Sequence, residues 1–255
     1  MKILLLLLAM TVMGAVTFLG AVVIESTASL SGLNGITMLS SNPADHAFSP
    51  LIGSRGISYS LCNNFGTSVA NVYGLGVADR AGIFQLASGI RLQSSEDYRW
   101  QDQYASLAIM DPGNHVGIGA TLHLDYQKAG SAPSTYDWSW DAACKADWGD
   151  YGMEFRLIRM DSEDRQLHIT AVSRLYSDMA FATTYVWGKN GYASLRTASS
   201  YTITDEIILQ SSWQSNPSRF GAGLQIKIDK LNLSYAIRTH NELNLTHCFD
   251  LGYSW

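Results

Sequence analysis

Charge is what this sequence has least of. Asp, Glu, Lys and Arg make up 15% of its 255 residues, against roughly 25% in an ordinary soluble domain. The formal net charge is −5, and a disordered chain would need more charge and fewer aromatics. A basic face is missing too, with a pI near 5.6, which argues against a nucleic-acid partner. Prolines number 5 and cysteines 3. Cys62, Cys144 and Cys248 stand too far apart for a zinc ribbon or a dense disulfide scaffold. Present instead are 22 glycines, 13 tyrosines and 7 tryptophans, the composition of a Gly- and aromatic-rich β protein.

Behind Lys2 an uncharged run extends from Ile3 to Ile24, followed by Glu25-Ser26-Thr27-Ala28. Small residues at Ser26 and Ala28 suit a signal-peptidase cut after Ala28. Residues 1–28 are therefore read as an export signal, although the run is also long enough to span a bilayer as a retained anchor. No Cys follows it, so lipid attachment is not expected.

From about residue 54 the hydrophobic period is two. Val116, Ile118, Ala120, Leu122, Leu124 and Tyr126 fall on one face, with Gly117, Gly119, Thr121, His123 and Asp125 on the other. The pattern recurs in Phe220, Ala222, Leu224, Ile226 and Ile228, and again in Leu231, Leu233, Tyr235 and Ile237. Such runs predict about fourteen strands, near 55–62, 67–78, 82–92, 100–110, 115–127, 135–148, 150–160, 166–176, 179–188, 192–203, 206–214, 219–229, 230–239 and 243–255. Turn chemistry separates them, as in Asp111-Pro112-Gly113-Asn114 and Ser215-Asn216-Pro217-Ser218. Short turns make sequence neighbours antiparallel neighbours, so the expectation is an all-β, up-and-down barrel over residues 54–255.

Three observations turn its apolar face outward, toward outer-membrane lipid. About fourteen strands enclose a tube too wide for side chains to fill. The aromatics also gather near strand ends: Tyr126, Trp138, Trp187 and Trp213 at one rim, Trp148, Tyr151, Tyr201, Tyr253 and Trp255 at the other. Ten strand steps from Trp138 to Trp148 project to roughly 23 Å, close to the apolar band between aromatic girdles. Finally, Phe249, Leu251, Tyr253 and Trp255 alternate to the last residue, resembling the C-terminal signal read by the outer-membrane assembly machinery.

Between signal and barrel, residues 29–53 are nearly uncharged and predicted to be an irregular plug. Here Asn42-Pro43-Ala44 precedes the first strand. Its position resembles the N-terminal plug of the outer-membrane long-chain fatty-acid transporter (FadL-like) family and of the PorV-type barrels of type IX secretion. Asp45 and His46 stand where that family usually has Gly-Leu. The resemblance implies a fourteen-stranded barrel in a bacterial outer membrane. It also implies a channel for small or apolar solutes, or a surface accessory that docks a secretion-system protein. Pro43 is expected to bend the chain back to the wall.

The polar face then becomes the lumen. Its candidate lining is Arg91, His123, Asp125, Asp141, Lys145, Glu154, Arg156, His168, Arg174, Arg196, Gln225, Lys227, Arg238 and Asp250. Both signs are present with no single-sign stripe, which favours internal pairing over strong ion selection. His123 and Asp125 share a face, but a metal or acid–base site needs a third group on an adjacent strand and none is expected. No catalytic constellation, metal site or cofactor is read from the sequence. His247 breaks the outward row of the last strand, without an outward Ser beside it. Cys62 and Cys248 both face inward on the first and last strands. Cys62 is expected to lie the higher of the two, which leaves their bridging to the register.

Overall fold

The computed structural model describes residues 27–66, 71–160, 165–240 and 243–255. The export run 3–24 lies outside the described residues, as does the start of the second predicted strand. Fourteen strands form: β1 Gly56–Asn63, β2 Asn71–Ala81, β3 Phe84–Ser94, β4 Tyr98–Met110, β5 Val116–Ala129, β6 Thr135–Asp147 and β7 Tyr151–Ile158. They continue as β8 Gln166–Tyr176, β9 Met179–Gly188, β10 Ala193–Thr204, β11 Ile207–Ser215, β12 Ser218–Ile228, β13 Leu231–Arg238 and β14 Thr246–Ser254. Each pairs antiparallel with its sequence neighbours, and β1 pairs with β14, so the sheet is a closed barrel. Closure leaves no edge strand with unpaired backbone, which lipid would not tolerate.

Both ends of the barrel sequence, Gly56 and Ser254, are register partners at one rim, here called lower. Lower turns are tight, as between β2 and β3, where Gly82 takes φ +62°, a left-handed conformation suited to a two-residue hairpin. The longer connections are at the upper rim. The side-chain period behaves as the alternation requires. Ile57, Leu75, Ile118, Leu122, Leu209 and Leu251 are exposed outward, while Ser58, Thr121, Gln210, Gln225 and Asp250 are buried inward. An apolar exterior around a polar interior is the polarity of a barrel made for lipid.

The first and last strands meet at a register that differs from expectation. Cys62 stands directly opposite Cys248 rather than above it, because β14 begins only at Thr246. Their Cα atoms are 4.0 Å apart and the pair forms a disulfide across the closing seam.

Inside, the segment before β1 is more regular than its composition predicts. Thr27 caps a one-turn helix, α1 (Ala28–Gly32), by accepting from the Leu30 N–H. Single 3-10 turns follow at Thr37–Leu39 and Pro43–Ala47. Pro43 does not merely bend the chain. It occupies the first position of its turn, where a missing N–H costs nothing, and Asn42 caps that turn through Ala44 N–H. The apolar side chains of this segment reach the wall in several directions. Leu33 and Ile36 pack on Val172, Ala182 and Ala198; Leu30, Ala47 and Phe48 pack with Tyr104; Leu51 meets Ala108, Met110 and Ala143.

Candidate functional site in the barrel lumen

Short inward residues on the wall make room for the N-terminal segment. A Cβ on Gly76 would lie 2.5 Å from Ala44 Cα, and one on Gly221 would lie 2.7 Å from the Ser31 carbonyl oxygen. The alternating glycines of the polar face are thus a cradle for backbone.

The segment's buried polar groups find partners on the wall, as buried backbone must. Asp250 accepts from Ala28 N–H at 2.9 Å, from Ser29 N–H at 3.1 Å and from Asn42 Nδ2 at 2.8 Å. Glu154 accepts from Thr37 and Ser49 hydroxyls at 2.7 and 2.6 Å. Arg156 donates to the Phe48 and Gly35 carbonyls, Arg196 to Asn34, Lys145 to Leu51 and Tyr104 to Ala44. Gln225 reaches Ser29 Oγ. Asn42, Pro43 and Ala44 therefore lie in the lumen, against Asp250 and Tyr104.

Within the segment, Asp45 accepts from Thr27 and from Ser40. Burial pushes its carboxyl up to about 6, against the pull of these hydroxyls and of Arg91. His46 goes the other way. Burial, with Lys145 nearby, lowers it to about 3, and its Nε2 meets Ser54 Oγ at 3.1 Å.

The acidic lining groups of β4 to β6 have basic partners. On β3 to β6 the acidic groups Asp102, Asp125 and Asp141 face Arg91, Arg159 and His123. Arg91 grips Asp102; Arg159 Nη2 is 3.8 Å from Asp125; His123 lies between Asp102 at 3.1 Å and Asp141 at 3.5 Å. His123 thus pairs with aspartates on both adjacent strands and not with Asp125, its neighbour on the same face. Despite that, no group of three or more His, Cys, Asp or Glu is placed to hold a metal among the described residues.

On β7 to β13 the inward charges are mostly positive. Arg156 stands opposite His168, and Arg196, Gln214 and Arg219 are in register across β10, β11 and β12. Arg238 of β13 stands opposite Gly221, one inward step from Arg219. Arg174 pairs with Asp147 near the lower rim at 2.9 Å, partly exposed, and Lys227 is half-buried on the same lower side.

The predicted interface aromatics point outward. Trp138, Trp148, Tyr151, Trp187, Tyr201 and Tyr253 are exposed; Tyr126 and Trp213 are half-buried. Trp255 is half-buried too. Phe249 and Leu251 share this outward row. His247 also points outward, its Nδ1 2.8 Å from Tyr235 Oη. Two aromatics that the rim pattern passed over, Trp100 and Tyr104, point inward and are buried. The Arg91 guanidinium lies 4.6 Å from the Phe48 ring and 5.4 Å from that of Trp100. Their even positions on β4, in phase with Asp102, carry that signal in the sequence.

Above the plug the lumen opens into a cavity of about 400 Å³. Its floor includes Gly35 and Phe48, and its upper wall includes Asn64, Phe65, Tyr192, Pro217 and His240. The N-terminal segment is thus the bottom of a vestibule that faces the upper rim.

Known structures share this architecture. A monoaromatic hydrocarbon channel, CymD, superposes with a TM-score of 0.67 at 10% identity, over 92% of this chain and 99% of that one. The toluene transporter TodX of Pseudomonas putida gives 0.59 at 9% identity, over 91% and 99%. The fold is the closed antiparallel β-barrel of these two proteins. No protein-family model matches the sequence, and no curated protein matches it.

Proposed function

We propose that this chain is a non-enzymatic passage barrel of the bacterial outer membrane, kin to the FadL-like barrels, for small solutes with an apolar body. The observation that carries the reading is the vestibule. A closed, lipid-facing tube has one end of its lumen occupied by residues 27–55 and a pocket of about 400 Å³ above them. That size accommodates a small organic molecule. Phe48, Phe65 and Tyr192 are among the residues that line it. Two barrels of the same architecture are described as a monoaromatic hydrocarbon channel and a toluene transporter, which supports a similar solute size here. With six lower turns of two to five residues and seven upper connections of two to seven, the barrel offers little loop surface for docking a large protein.

The plug sets the first test. Full-length barrel in planar bilayers should conduct poorly, and deletion of Ser29 to Ser41 should raise single-channel conductance several-fold while the barrel still assembles. Equal conductance for the two folded proteins would remove the plug from the reading. Failure of either protein to pass any small solute in liposome swelling would end the passage proposal.

A further inference from the structure

Four upper connections contribute to the vestibule wall. Phe65 comes from the connection after β1, Tyr192 from that between β9 and β10, Pro217 from that between β11 and β12, and His240 from that after β13. Hydrogen bonds tie them to their neighbours. The Tyr192 hydroxyl donates to the Asn216 carbonyl at 2.8 Å, and His240 Nε2 meets Thr246 Oγ1 at 2.9 Å. Thr246 is fully buried at the start of β14, and its hydroxyl oxygen also accepts from the Phe65 N–H at 3.4 Å. Phe65 stands out in conformation. Its φ is +62°, in the left-handed region that a bulky side chain avoids, and no other aromatic among the described residues has a positive φ. Its ring meets that of His240 edge-on, with centroids 4.6 Å apart. A left-handed residue held both by its backbone and by its ring marks a side chain whose position is put to use.

We infer that Phe65 is the size-selecting residue of the vestibule: its ring, fixed at the upper end, sets the largest cross-section that reaches the floor at Gly35 and Phe48. The inference deepens the passage reading above and rests on it for the solute's route. Two features make the assignment. The left-handed turn itself needs no ring, since Gly or Asn would form it with less strain, so the phenyl group is there for what it does in the cavity. The ring is also braced rather than free, by His240 on one side and through its own N–H by Thr246 on the other. The limit it sets is therefore steric and constant, as in a fixed constriction.

The test reads access to the vestibule rather than passage, so the two readings fail separately. In full-length barrel whose free thiol is removed by Cys144→Ser, Gln93→Cys places a reporter thiol on the vestibule wall. Its modification is timed with two neutral reagents of different width, methyl methanethiosulfonate and a glucosyl methanethiosulfonate. With Phe65 in place the glucosyl reagent should react roughly tenfold more slowly than the methyl one. Phe65→Gly, which keeps the turn and removes the ring, should erase most of that difference and leave the methyl rate unchanged. Phe65→Tyr should keep the exclusion. Heat-modifiable gel migration verifies folding, and Phe65→Asn is the second ringless variant if Phe65→Gly fails it. Equal access of both reagents with Phe65 in place overturns the inference. So does a rise of both rates together in the ringless variants, which would mean a loosened rim. Modification by neither reagent in any variant overturns it too, because the vestibule is then not entered past Phe65. Entry of phenyl glucoside into liposomes that carry the full-length barrel tests the passage reading separately, and its failure ends that reading whatever the thiol reports.

Discussion

Asp45 and His46 are adjacent in the chain, and burial moves them in opposite directions. His46 is lowered from its ordinary 6.5 to about 3, so its contribution to docking of the segment is complete above pH 6.5 and is lost as pH falls toward 3. Asp45 is raised from 3.8 to about 6. Its contribution is complete below pH 3.8 and is lost as pH rises through about 6. Between about pH 4 and 6 the two slopes oppose each other. Conductance of the full-length barrel should therefore change little over this range on their account. In His46→Gln, plug release should become harder as pH falls; in Asp45→Asn it should become easier. Lys145 and Arg91 act on the pair, and Asp250 lies beside Asp45, so the readout is the difference between each variant and the parent at equal pH. Parallel pH profiles for all three proteins would show that neither group couples to docking.

At the scale of elements, strands were legible because one period and one face repeat over and over. The run from Val116 to Tyr126 became the outward and inward rows of β5, and Lys189 to Gly191 became the break between β9 and β10. Ends were less legible. β7 stops at Ile158 and β14 starts at Thr246, since a ladder ends where its partner ends and a single sequence does not contain the partner. The same lack of register misplaced Cys62 relative to Cys248. Their bridge closes a loop with a sequence separation of 186 residues, which should stabilise the barrel by a few kcal/mol, on the order of 3–5. The Cys62→Ser, Cys248→Ser double variant should still fold, because the β1 to β14 ladder runs over the whole of β1. It should lose its heat-resistant compact band at a lower temperature than the parent. An unchanged transition temperature would mean that the seam is held by its backbone ladder alone.

For the whole molecule, what the sequence concealed is which charges meet across strands. Along each strand the signs look mixed: Lys145 follows Asp141, and Arg156 follows Glu154. Register places Asp102 and Asp141 on either side of His123, and Arg196 in line with Gln214 and Arg219. Short helical turns in the plug were equally hidden, because the barrel wall provides the partners that a solvated segment of that composition lacks. Asp250 has a consequence in the order of events during biogenesis. Its carboxylate holds the backbone nitrogen of Ser29 at 3.1 Å, and a leader cut after Ala28 would turn that amide into a free ammonium group. The latch on β14 would then gain its full charge only once the leader has gone. Mass spectrometry of the purified protein should find Ser29 as its first residue. Asp250→Asn should raise leak conductance more in that trimmed form than in a barrel whose leader has been made uncleavable. Removal of the leader would thus exchange the Thr27 and Ala28 contacts of the docked segment for an ion pair between the new terminus and Asp250.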